Sequence, residues 1–174
     1  MELVVLVDEE NNVLGTAPKD QVHSAATPLH RGFSVFLFNQ QGELLITQRA
    51  DSKKTFPGIW TNTVCGHPLP GESTAEAASR RLKVELGISA HDLREAAPYR
   101  YQFADEGGVV ENEVCPILIG YSNDAPQPNS AEVAAWKWIP WKKFLETVKK
   151  NPRIYSPWSR EEAEILRKLN ILNR

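Results

Sequence analysis

The sequence predicts an α+β fold in a single domain with a mixed sheet. The length of 174 residues suits one domain with a sizeable core. Short apolar or alternating runs bounded by turn-forming residues are typical of strands. Amphipathic stretches that begin with capping residues are typical of helices. The sequence has no internal repeat and no sign of a domain boundary, so we expect residues 1–174 to form one unit.

The first strands are predicted from apolar runs that end at turn signals. Residues 3–7 and 13–14 flank a polar turn, which predicts an opening hairpin. Residues 32–38 and 43–49, separated by Asn39-Gln40-Gln41-Gly42, predict two further strands. The run 33–38 is apolar almost throughout, and we therefore expect it to be buried on both faces of the sheet.

A helix is predicted over residues 73–86. Ser73 and Glu76 form a capping-box pattern, and Gly87 provides the stop signal. Arg81 and Glu85 lie one turn apart, which fits either a surface ion pair or a metal or phosphate site. The predicted apolar stripe of this helix consists of Ala75, Ala78, Leu82 and Leu86.

The second half of the chain predicts a hairpin with functional side chains. Aromatic residues alternate through 98–104, and a turn at 105–108 leads into a strand over 109–121. On that strand Glu111, Glu113, Cys115 and Ile117 would share one face. The hairpin would bring Tyr101 nearly opposite Glu113. Two acids on an apolar face predict an inward-pointing pair that needs a cation.

The C-terminal part predicts one more strand and two helices. A proline-containing loop at 122–129 leads to a strand at 132–139, and Pro140 starts a helix over 141–149. The tail, 159–172, predicts a second helix with its own capping box, formed by Ser159 and Glu162.

Composition limits the classes of partner. The formal net charge of −2 gives no general attraction to nucleic acid, and no apolar run is long enough for membrane insertion. Without an export signal we expect a cytoplasmic protein that is a monomer or a weak homodimer. Its two cysteines lack metal-type spacing, so we expect free thiols rather than a disulfide.

The segment from Thr61 to Leu86 resembles a known family. The Nudix-box positions are Gly66, Glu72, Arg80, Leu82, Glu85, Gly87 and Ile88. Two positions depart from the hydrolase pattern, since Arg81 and Val84 stand where that pattern has glutamates. Together with Thr-Asn-Thr-Val-Cys-Gly-His-Pro before the helix and Glu-Asn-Glu-Val-Cys-Pro after it, this departure resembles the type 1 isopentenyl-diphosphate isomerases of the Nudix superfamily. The resemblance extends from about residue 19 to residue 158.

This resemblance implies a Nudix-type α/β/α sandwich and a metal-dependent isomerase. The enzyme would interconvert isopentenyl and dimethylallyl diphosphate in isoprenoid biosynthesis, a 1,3-allylic rearrangement through a carbocation. It implies Cys65 and Glu113 as the proton-transfer residues, with Tyr101 assisting Glu113 through a hydrogen bond. We assign Glu113 with Tyr101 as acid and Cys65 as base in the forward direction, and the opposite assignment stays open because the reaction is reversible.

The resemblance also implies the ligands of two metal ions and of the substrate. A divalent ion, Mn²⁺ or Mg²⁺ with Zn²⁺ as an alternative, would bind His23, His30, His67, Glu111 and Glu113. A Mg²⁺ ion would join Glu85 to the substrate diphosphate. The residues implied for substrate binding are Lys19, Arg49, Lys53 and Arg81 at the diphosphate and Trp158 at the carbon skeleton.

Two other functions fit the same residues less completely. A Nudix hydrolase of a nucleoside diphosphate derivative shares the box, but Arg81 and Val84 weaken its acidic cluster. A non-catalytic module that binds a diphosphate is the third hypothesis. For the isomerase we further expect the segment with His23 and His30 to become ordered when metal binds.

Overall fold

Two β-sheets and four α-helices make up the described residues, 2–172, of the computed structural model. The first six strands are β1 (Leu3–Val7), β2 (Val13–Pro18), β3 (His30–Arg31), β4 (Phe33–Phe38), β5 (Glu43–Arg49) and β6 (Trp60–Thr61). The next six are β7 (Val64–Gly66), β8 (His91–Ala97), β9 (Arg100–Ala104), β10 (Val110–Val114), β11 (Ile117–Tyr121) and β12 (Val133–Pro140). The helices are α1 (Lys19–Val22), α2 (Thr74–Leu86), α3 (Trp141–Lys150) and α4 (Pro157–Lys168).

Both sheets are mixed. The smaller sheet has the strand order β2-β1-β3-β10-β9, in which β10 and β3 run parallel and the other pairs are antiparallel. The larger sheet has the order β12-β5-β4-β11-β8, with β6 paired to β5 and β7 paired to β4. Its central pair, β4 and β11, is parallel. The predicted mixed α+β architecture is confirmed.

Strand β4 shows how the larger sheet becomes the middle layer of a sandwich. Alternate side chains of a strand point to opposite faces. Val35 and Leu37 accordingly pack in a core cluster with α2 residues, whereas Phe36 and Phe38 pack in a second cluster with residues of α3 and α4. All six residues of β4 are buried, as predicted from its apolar run. Helices on both faces give the α/β/α arrangement that the resemblance implies.

Helix α2 begins and ends where the sequence predicts. The Ser73 side chain accepts a hydrogen bond from the Glu76 amide, and the Glu76 carboxylate accepts one from the Ser73 amide in return. Gly87 closes the helix in the left-handed region with a φ of 68°. The two ends of this helix are therefore fixed by local interactions.

The predicted strand over 109–121 is wrong as one element. It forms two strands in different sheets, β10 in the smaller and β11 in the larger, separated by Cys115 and Pro116. Pro116 has no amide proton for the ladder. The Cys115 amide donates to the Tyr99 carbonyl, and the Pro116 carbonyl accepts from Ser34. Cys115 and Ile117 thus do not continue the face that carries Glu111 and Glu113.

The capping box predicted for the tail helix is also wrong. Helix α4 begins at Pro157, two residues before the predicted start, and its cap is Ser156, whose hydroxyl accepts from the Ser159 amide. The fixed φ of proline suits the first position of a helix. Glu162 is consequently not a capping residue but a fully buried one. The helix ends at Lys168 rather than at Leu172, and no helix in the described part of the chain is long and apolar enough to cross a membrane.

The stop at Gly87 gives a stability test with a matched control. Gly87 and Gly42 both have left-handed φ angles, of 68° and 73°. A Cβ atom at Gly87 would meet Gln127 at 3.3 Å, whereas one at Gly42 meets nothing within 4 Å. We expect Gly87→Ala to lower the free energy of unfolding by about 1–2 kcal/mol. We expect Gly42→Ala to cost less, and equal losses in urea unfolding would contradict a packing role for Gly87.

Candidate active site and metal centre

One pocket of about 540 Å³ brings together most of the predicted site residues. The predicted residues that line it are Lys19, His23, Arg49, Lys53, Cys65, His67, Arg81, Tyr101, Glu111, Glu113 and Trp158. His30 and Glu85 lie just behind this lining, where they contact His67 and Arg81 respectively. The fold therefore gathers residues that are separated by more than a hundred positions in the chain.

Five buried side chains form a compact group of metal-ligating type. One ligand atom from each lies within 4.8 Å of the others, and the members are His23, His30, His67, Glu111 and Glu113. The parallel pairing of β3 and β10 places His30 directly beside Glu113. Because Glu111 and Glu113 are two positions apart on β10, both project from the same face of that strand.

Three of these atoms converge closely. The His67 Nε2 atom lies 3.0 Å from Glu113 Oε1 and 3.3 Å from His30 Nε2. The His30 Nδ1 atom lies 2.9 Å from the Pro28 carbonyl oxygen, which only accepts hydrogen bonds. In neutral His30 the proton is therefore on Nδ1 and the lone pair on Nε2 points into the cluster.

Other atoms of the cluster lack partners, and a cation would satisfy them. His23 Nε2 and Glu111 Oε2 are 3.2 Å apart, yet neither completes a hydrogen bond within residues 2–172. The other Glu111 oxygen accepts a hydrogen bond from the Thr55 hydroxyl, which fixes the carboxylate. Unpaired buried polar atoms are costly, so the residues present fit a divalent metal ion. Three nitrogens and two carboxylates are compatible with Mn²⁺, Mg²⁺ or Zn²⁺.

The electrostatics of the cluster keep Glu113 ionised. Burial raises the pKa of Glu113, but the hydrogen bonds and charges of His30 and His67 outweigh it and hold this pKa well below its usual value. At His30 burial lowers the pKa, and the Glu113 carboxylate more than compensates, so the net shift is upward. At His67 burial prevails and its pKa is lowered.

On the thiol side of the pocket, Cys65 is held between two polar side chains. Its Sγ atom lies 3.3 Å from Asn62 Oδ1 and 3.5 Å from Ser34 Oγ. The Asn62 amide nitrogen donates to the Val35 and Val64 carbonyls, which fixes its oxygen toward the thiol. Burial raises the pKa of Cys65 to about 12, and the hydrogen bonds that it makes with Ser34 and Asn62 only partly oppose this.

An aromatic wall, formed by Trp158, Tyr101 and Phe56, packs beside the thiol. The Trp158 ring stacks on the Tyr101 ring with a centroid distance of 5.7 Å. The Phe56 ring meets the Trp158 ring edge-on, with a centroid distance of 5.0 Å. The Arg49 guanidinium lies 5.8 Å from the Trp158 ring centre. Tyr101 pairs directly with Glu113 between β9 and β10, as predicted. The predicted hydrogen bond between the Tyr101 hydroxyl and Glu113 is not formed among the described side chains.

The cations expected to bind the diphosphate are all engaged by protein groups. Lys53 pairs with Glu132, and Lys19 lies 3.0 Å from Glu2. Arg81 makes contacts of 2.6 Å to Glu85 and 3.1 Å to Glu132. The Arg81–Glu85 pair is therefore buried and faces the pocket, which excludes a solvated surface pair. Lys53 and Arg81 lower the pKa of Glu132 to about 2 against the effect of burial.

The positive end of Arg49 is directed to the protein backbone. Its Nε and Nη2 atoms donate to the carbonyls of Thr55 and Phe56 and to the Thr55 hydroxyl. These bonds hold the loop between β5 and β6 against the pocket. Arg49 thus positions the Thr55 hydroxyl that contacts Glu111, in addition to lining the pocket.

Several residues at this site were missed by the sequence analysis, among them one amide and three carboxylates. They are Glu2, Asn62, Glu132 and Glu162. Asn62 lies inside the segment Thr-Asn-Thr-Val-Cys-Gly-His-Pro, so its position next to Cys65 was a usable signal. The carboxylates of Glu2 and Glu132 reach the pocket through pairing with distant lysines, and no local pattern indicates that.

The α/β/α sandwich and the loop-helix site define a Nudix domain, and the NUDIX domain family model matches residues 28–159. Two of the similar curated relatives are both named isopentenyl-diphosphate Delta-isomerase. The protein of Mycolicibacterium vanbaalenii is 48% identical over 166 residues, which cover 95% of this chain and 91% of the relative. The protein of Salmonella typhi is 45% identical over 158 residues, covering 90% and 87%. The chain belongs to this isopentenyl-diphosphate Delta-isomerase family of Nudix proteins.

Solved structures support the fold independently of close sequence identity. The DR0079 protein of Deinococcus radiodurans superimposes with a TM-score of 0.75 at 21% identity, covering 94% of this chain and 98% of that protein. The MutT protein of Methanosarcina mazei gives a TM-score of 0.67 at 20% identity, covering 82% and 96%. At these identities the likeness shows the fold alone.

The metal cluster gives a binding prediction with a matched histidine control. His23→Ala removes a ligand atom, whereas His91→Ala removes an exposed histidine outside the cluster. A metal bound only by the folded state raises Tm by roughly 5–10 °C at a hundredfold excess over Kd. We expect this rise with Mn²⁺ or Zn²⁺ in the native chain and in His91→Ala, and a much smaller one in His23→Ala. Equal rises in all three proteins, measured by calorimetry, would contradict the site.

Proposed function

We propose that this chain is an isomerase that interconverts isopentenyl diphosphate and dimethylallyl diphosphate. The observation that carries the proposal is that Cys65 and Glu113, two groups able to exchange protons with carbon, line the same pocket from different sheets. Moving the double bond requires a proton to be added at one carbon and removed from another. Two separate proton-transfer groups satisfy that requirement.

Glu113 with Tyr101 supplies the acid side of the proposed reaction. Tyr101 is the cross-strand neighbour of Glu113, and burial together with the nearby carboxylates raises the pKa of its phenol well above the usual value. Tyr101 therefore retains its proton at neutral pH and is the residue opposite Glu113 in the strand pair. A divalent ion, when bound, would neutralise the buried carboxylates of Glu111 and Glu113.

The aromatic wall suits a carbocation between the two proton-transfer groups. Trp158, Tyr101 and Phe56 exclude water, which would otherwise trap a tertiary cation. Cation–π contact with a desolvated indole is worth about 2 kcal/mol. The Arg49 guanidinium 5.8 Å from the Trp158 ring centre shows that this ring already accommodates positive charge.

For the diphosphate, we infer an exchange of anionic partners. Glu132 now neutralises Lys53 and Arg81, and Glu2 neutralises Lys19. Diphosphate oxygens would replace these carboxylates on the cations, since a guanidinium group binds phosphate with the same bidentate fork as it binds carboxylate, and an ammonium group binds either anion as a point charge. Glu85, buried beside Arg81, would hold a Mg²⁺ ion against the same oxygens.

Hydrolysis is not favoured by the same geometry. The acidic cluster of a Nudix hydrolase requires carboxylates where this chain has Arg81 and Val84. Arg81 donates two hydrogen bonds to Glu85, and the Val84 side chain is half exposed on the far side of α2. Of the box carboxylates, Glu72 is paired with Arg80 and only Glu85 lies beside the pocket residue Arg81, so at most one of them would hold a metal ion there.

The proposal extends to cellular context. Both cysteines are free thiols, which suits the reducing cytoplasm. There the enzyme would supply dimethylallyl diphosphate for isoprenoid biosynthesis as a monomer or a weak homodimer.

The direct test is conversion of isopentenyl diphosphate in the presence of Mg²⁺, with dimethylallyl diphosphate and free phosphate measured in the same sample. We expect isomer formation without phosphate release. Cys65→Ala and Glu113→Gln should each lower kcat by about 10²–10⁴-fold, because each removes one proton-transfer group.

Cys115→Ala is the matched control, since Cys115 is a fully buried thiol outside the pocket lining. It should retain activity within a few-fold. Phosphate release in place of isomer formation, or near-normal rates in either active-site variant, would refute the proposed function.

The diphosphate clamp gives a second kinetic prediction. Lys53→Met removes one cation and leaves Glu132 paired with Arg81, so the fold should persist. Loss of a charge-assisted hydrogen bond of about 1.5–3 kcal/mol should raise KM by roughly 10- to 100-fold. The control Lys83→Met removes an exposed lysine of α2 that donates only to the Gly87 carbonyl. A KM unchanged by Lys53→Met would exclude Lys53 from the clamp.

A further inference from the structure

One threonine hydroxyl connects the substrate side of the pocket to the metal cluster. Thr55 is buried in the loop between β5 and β6. Its hydroxyl donates a hydrogen bond to the Oε1 atom of Glu111, which lies on β10 in the other sheet. Glu111 is one of the five metal-ligating side chains, whereas no step of the proposed reaction uses Thr55. The hydroxyl therefore contacts a metal ligand from outside the ligand set.

Arg49 fixes the direction of this hydrogen bond. The Arg49 Nη2 atom lies 3.0 Å from Thr55 Oγ1. A guanidinium group only donates hydrogen bonds, and a hydroxyl group has a single proton. Thr55 therefore accepts from Arg49, and its own proton is directed to Glu111. Further hydrogen bonds from Arg49 to the backbone carbonyls of Thr55 and Phe56 hold the loop in this position.

The two oxygens of the Glu111 carboxylate have different surroundings as a result. Oε1 is held by the Thr55 hydroxyl, whereas Oε2 lies 3.2 Å from His23 Nε2. Oε2 completes no hydrogen bond within residues 2–172. A free glutamate side chain samples many rotamers, and ordering it costs entropy. The bond to Thr55 restricts this freedom and keeps Oε2 beside the histidine, where a metal ion would bind.

The backbone of the loop supports the same arrangement. Phe56, the residue after Thr55, has a φ of 45°, in the left-handed region that a bulky residue rarely adopts. Its amide donates to Asp105 Oδ2 at 3.3 Å, in the turn that joins β9 to β10. Two neighbouring loop residues are thus bonded to the hairpin that carries Glu111. Contacts with the hairpin and with Arg49 maintain the strained conformation.

We propose, building on the isomerase function and its metal centre, that Thr55 is a positioning residue for metal binding. Its hydroxyl holds Glu111 in the orientation in which Oε2 can bind a divalent ion, and Arg49 holds the hydroxyl. The bonds of Arg49 to Thr55 and Phe56 use Nε and Nη2 and leave Nη1 for substrate oxygens. Arg49 would thus serve the substrate and the metal centre through different nitrogens.

The opposite effect on metal affinity would follow if these groups acted by competition or charge alone. The hydrogen bond to Glu111 Oε1 occupies an oxygen that a metal ion could also bind, so loss of the hydroxyl would strengthen binding. The positive charge of Arg49 repels a nearby cation, so loss of that charge would also strengthen binding. Positioning predicts that both losses weaken it. The sign of the change therefore separates the two explanations.

The first test is calorimetric titration of Mn²⁺ into metal-free protein without substrate. Thr55→Val removes the hydroxyl but keeps the shape of the side chain, and it should raise Kd by about 10- to 100-fold. Thr55→Ser keeps a hydroxyl and should remain within a few-fold of the native chain. The control Thr47→Val removes another buried hydroxyl, one that donates to the backbone carbonyls of Asn62 and Thr63, and should leave Kd unchanged.

The second test follows the connection to Arg49. Arg49→Met should also raise the Kd for Mn²⁺, although Arg49 is not a metal ligand. Combined with Thr55→Val, it should raise Kd by less than the product of the two separate effects, because both variants release the same carboxylate. Native affinity or tighter binding in Thr55→Val would overturn the proposal. Tighter binding in Arg49→Met, or fully independent effects, would overturn the connection through the hydroxyl.

Turnover distinguishes this proposal from the isomerase function. Thr55→Val should need about 10- to 100-fold more Mn²⁺ for its half-maximal rate and should reach a kcat within a few-fold of native at saturating metal. A kcat that stays low at saturating metal would overturn a role limited to positioning. A native chain without isomerase activity, in which Thr55→Val still weakens Mn²⁺ binding, would refute the function and support the positioning role.

Discussion

The site depends on keeping the Glu113 carboxylate ionised although β10 is buried. Burial opposes this charge, so the compensation must come from side chains brought in by other elements. Parallel pairing with β3 provides His30, the loop after β7 provides His67, and the segment after α1 provides His23. The pKa of Glu113 is held down by the first two of these residues. The same convergence leaves His23 Nε2 and Glu111 Oε2 without hydrogen-bond partners among residues 2–172, and a divalent cation would satisfy both atoms.

The break between β10 and β11 places the two halves of residues 109–121 in different sheets. Had residues 109–121 formed one strand, Glu113 and Cys115 would lie on one face of one sheet. Pro116 ends the ladder instead, and the chain passes from the smaller sheet to the larger. Glu113 lines the pocket from the smaller sheet, whereas Cys65 lines it from β7 of the larger one. The proposed allylic proton shift needs donor and acceptor at separate carbons, and this arrangement would provide that separation.

The sequence predicts local structure here better than it predicts which side chains of distant segments contact each other. The capping box of α2, its Gly87 stop and the doubly buried β4 follow from spacing and residue type, and all are confirmed. The gathering of predicted site residues in one pocket follows from the family pattern. The engagement of Lys53 by Glu132 and the position of Glu162 behind Cys65 depend on tertiary packing between distant segments. The capping-box pattern of Ser159 and Glu162 predicted that Glu162 caps the helix. The helix instead begins two residues earlier, at Pro157, and the Glu162 side chain is buried.

Charge compensation also determines how such a pocket discriminates among anions. Three of its cations, Lys19, Lys53 and Arg81, are paired with the carboxylates of Glu2, Glu85 and Glu132, so the positive charge that faces a ligand is largely neutralised. A monovalent anion would have to displace a carboxylate of equal charge and would gain nothing in exchange. A diphosphate with its metal ion replaces several carboxylate contacts at once and offers more oxygens than the groups it displaces. In the proposed clamp, the neutralised cations would therefore favour diphosphate over phosphate.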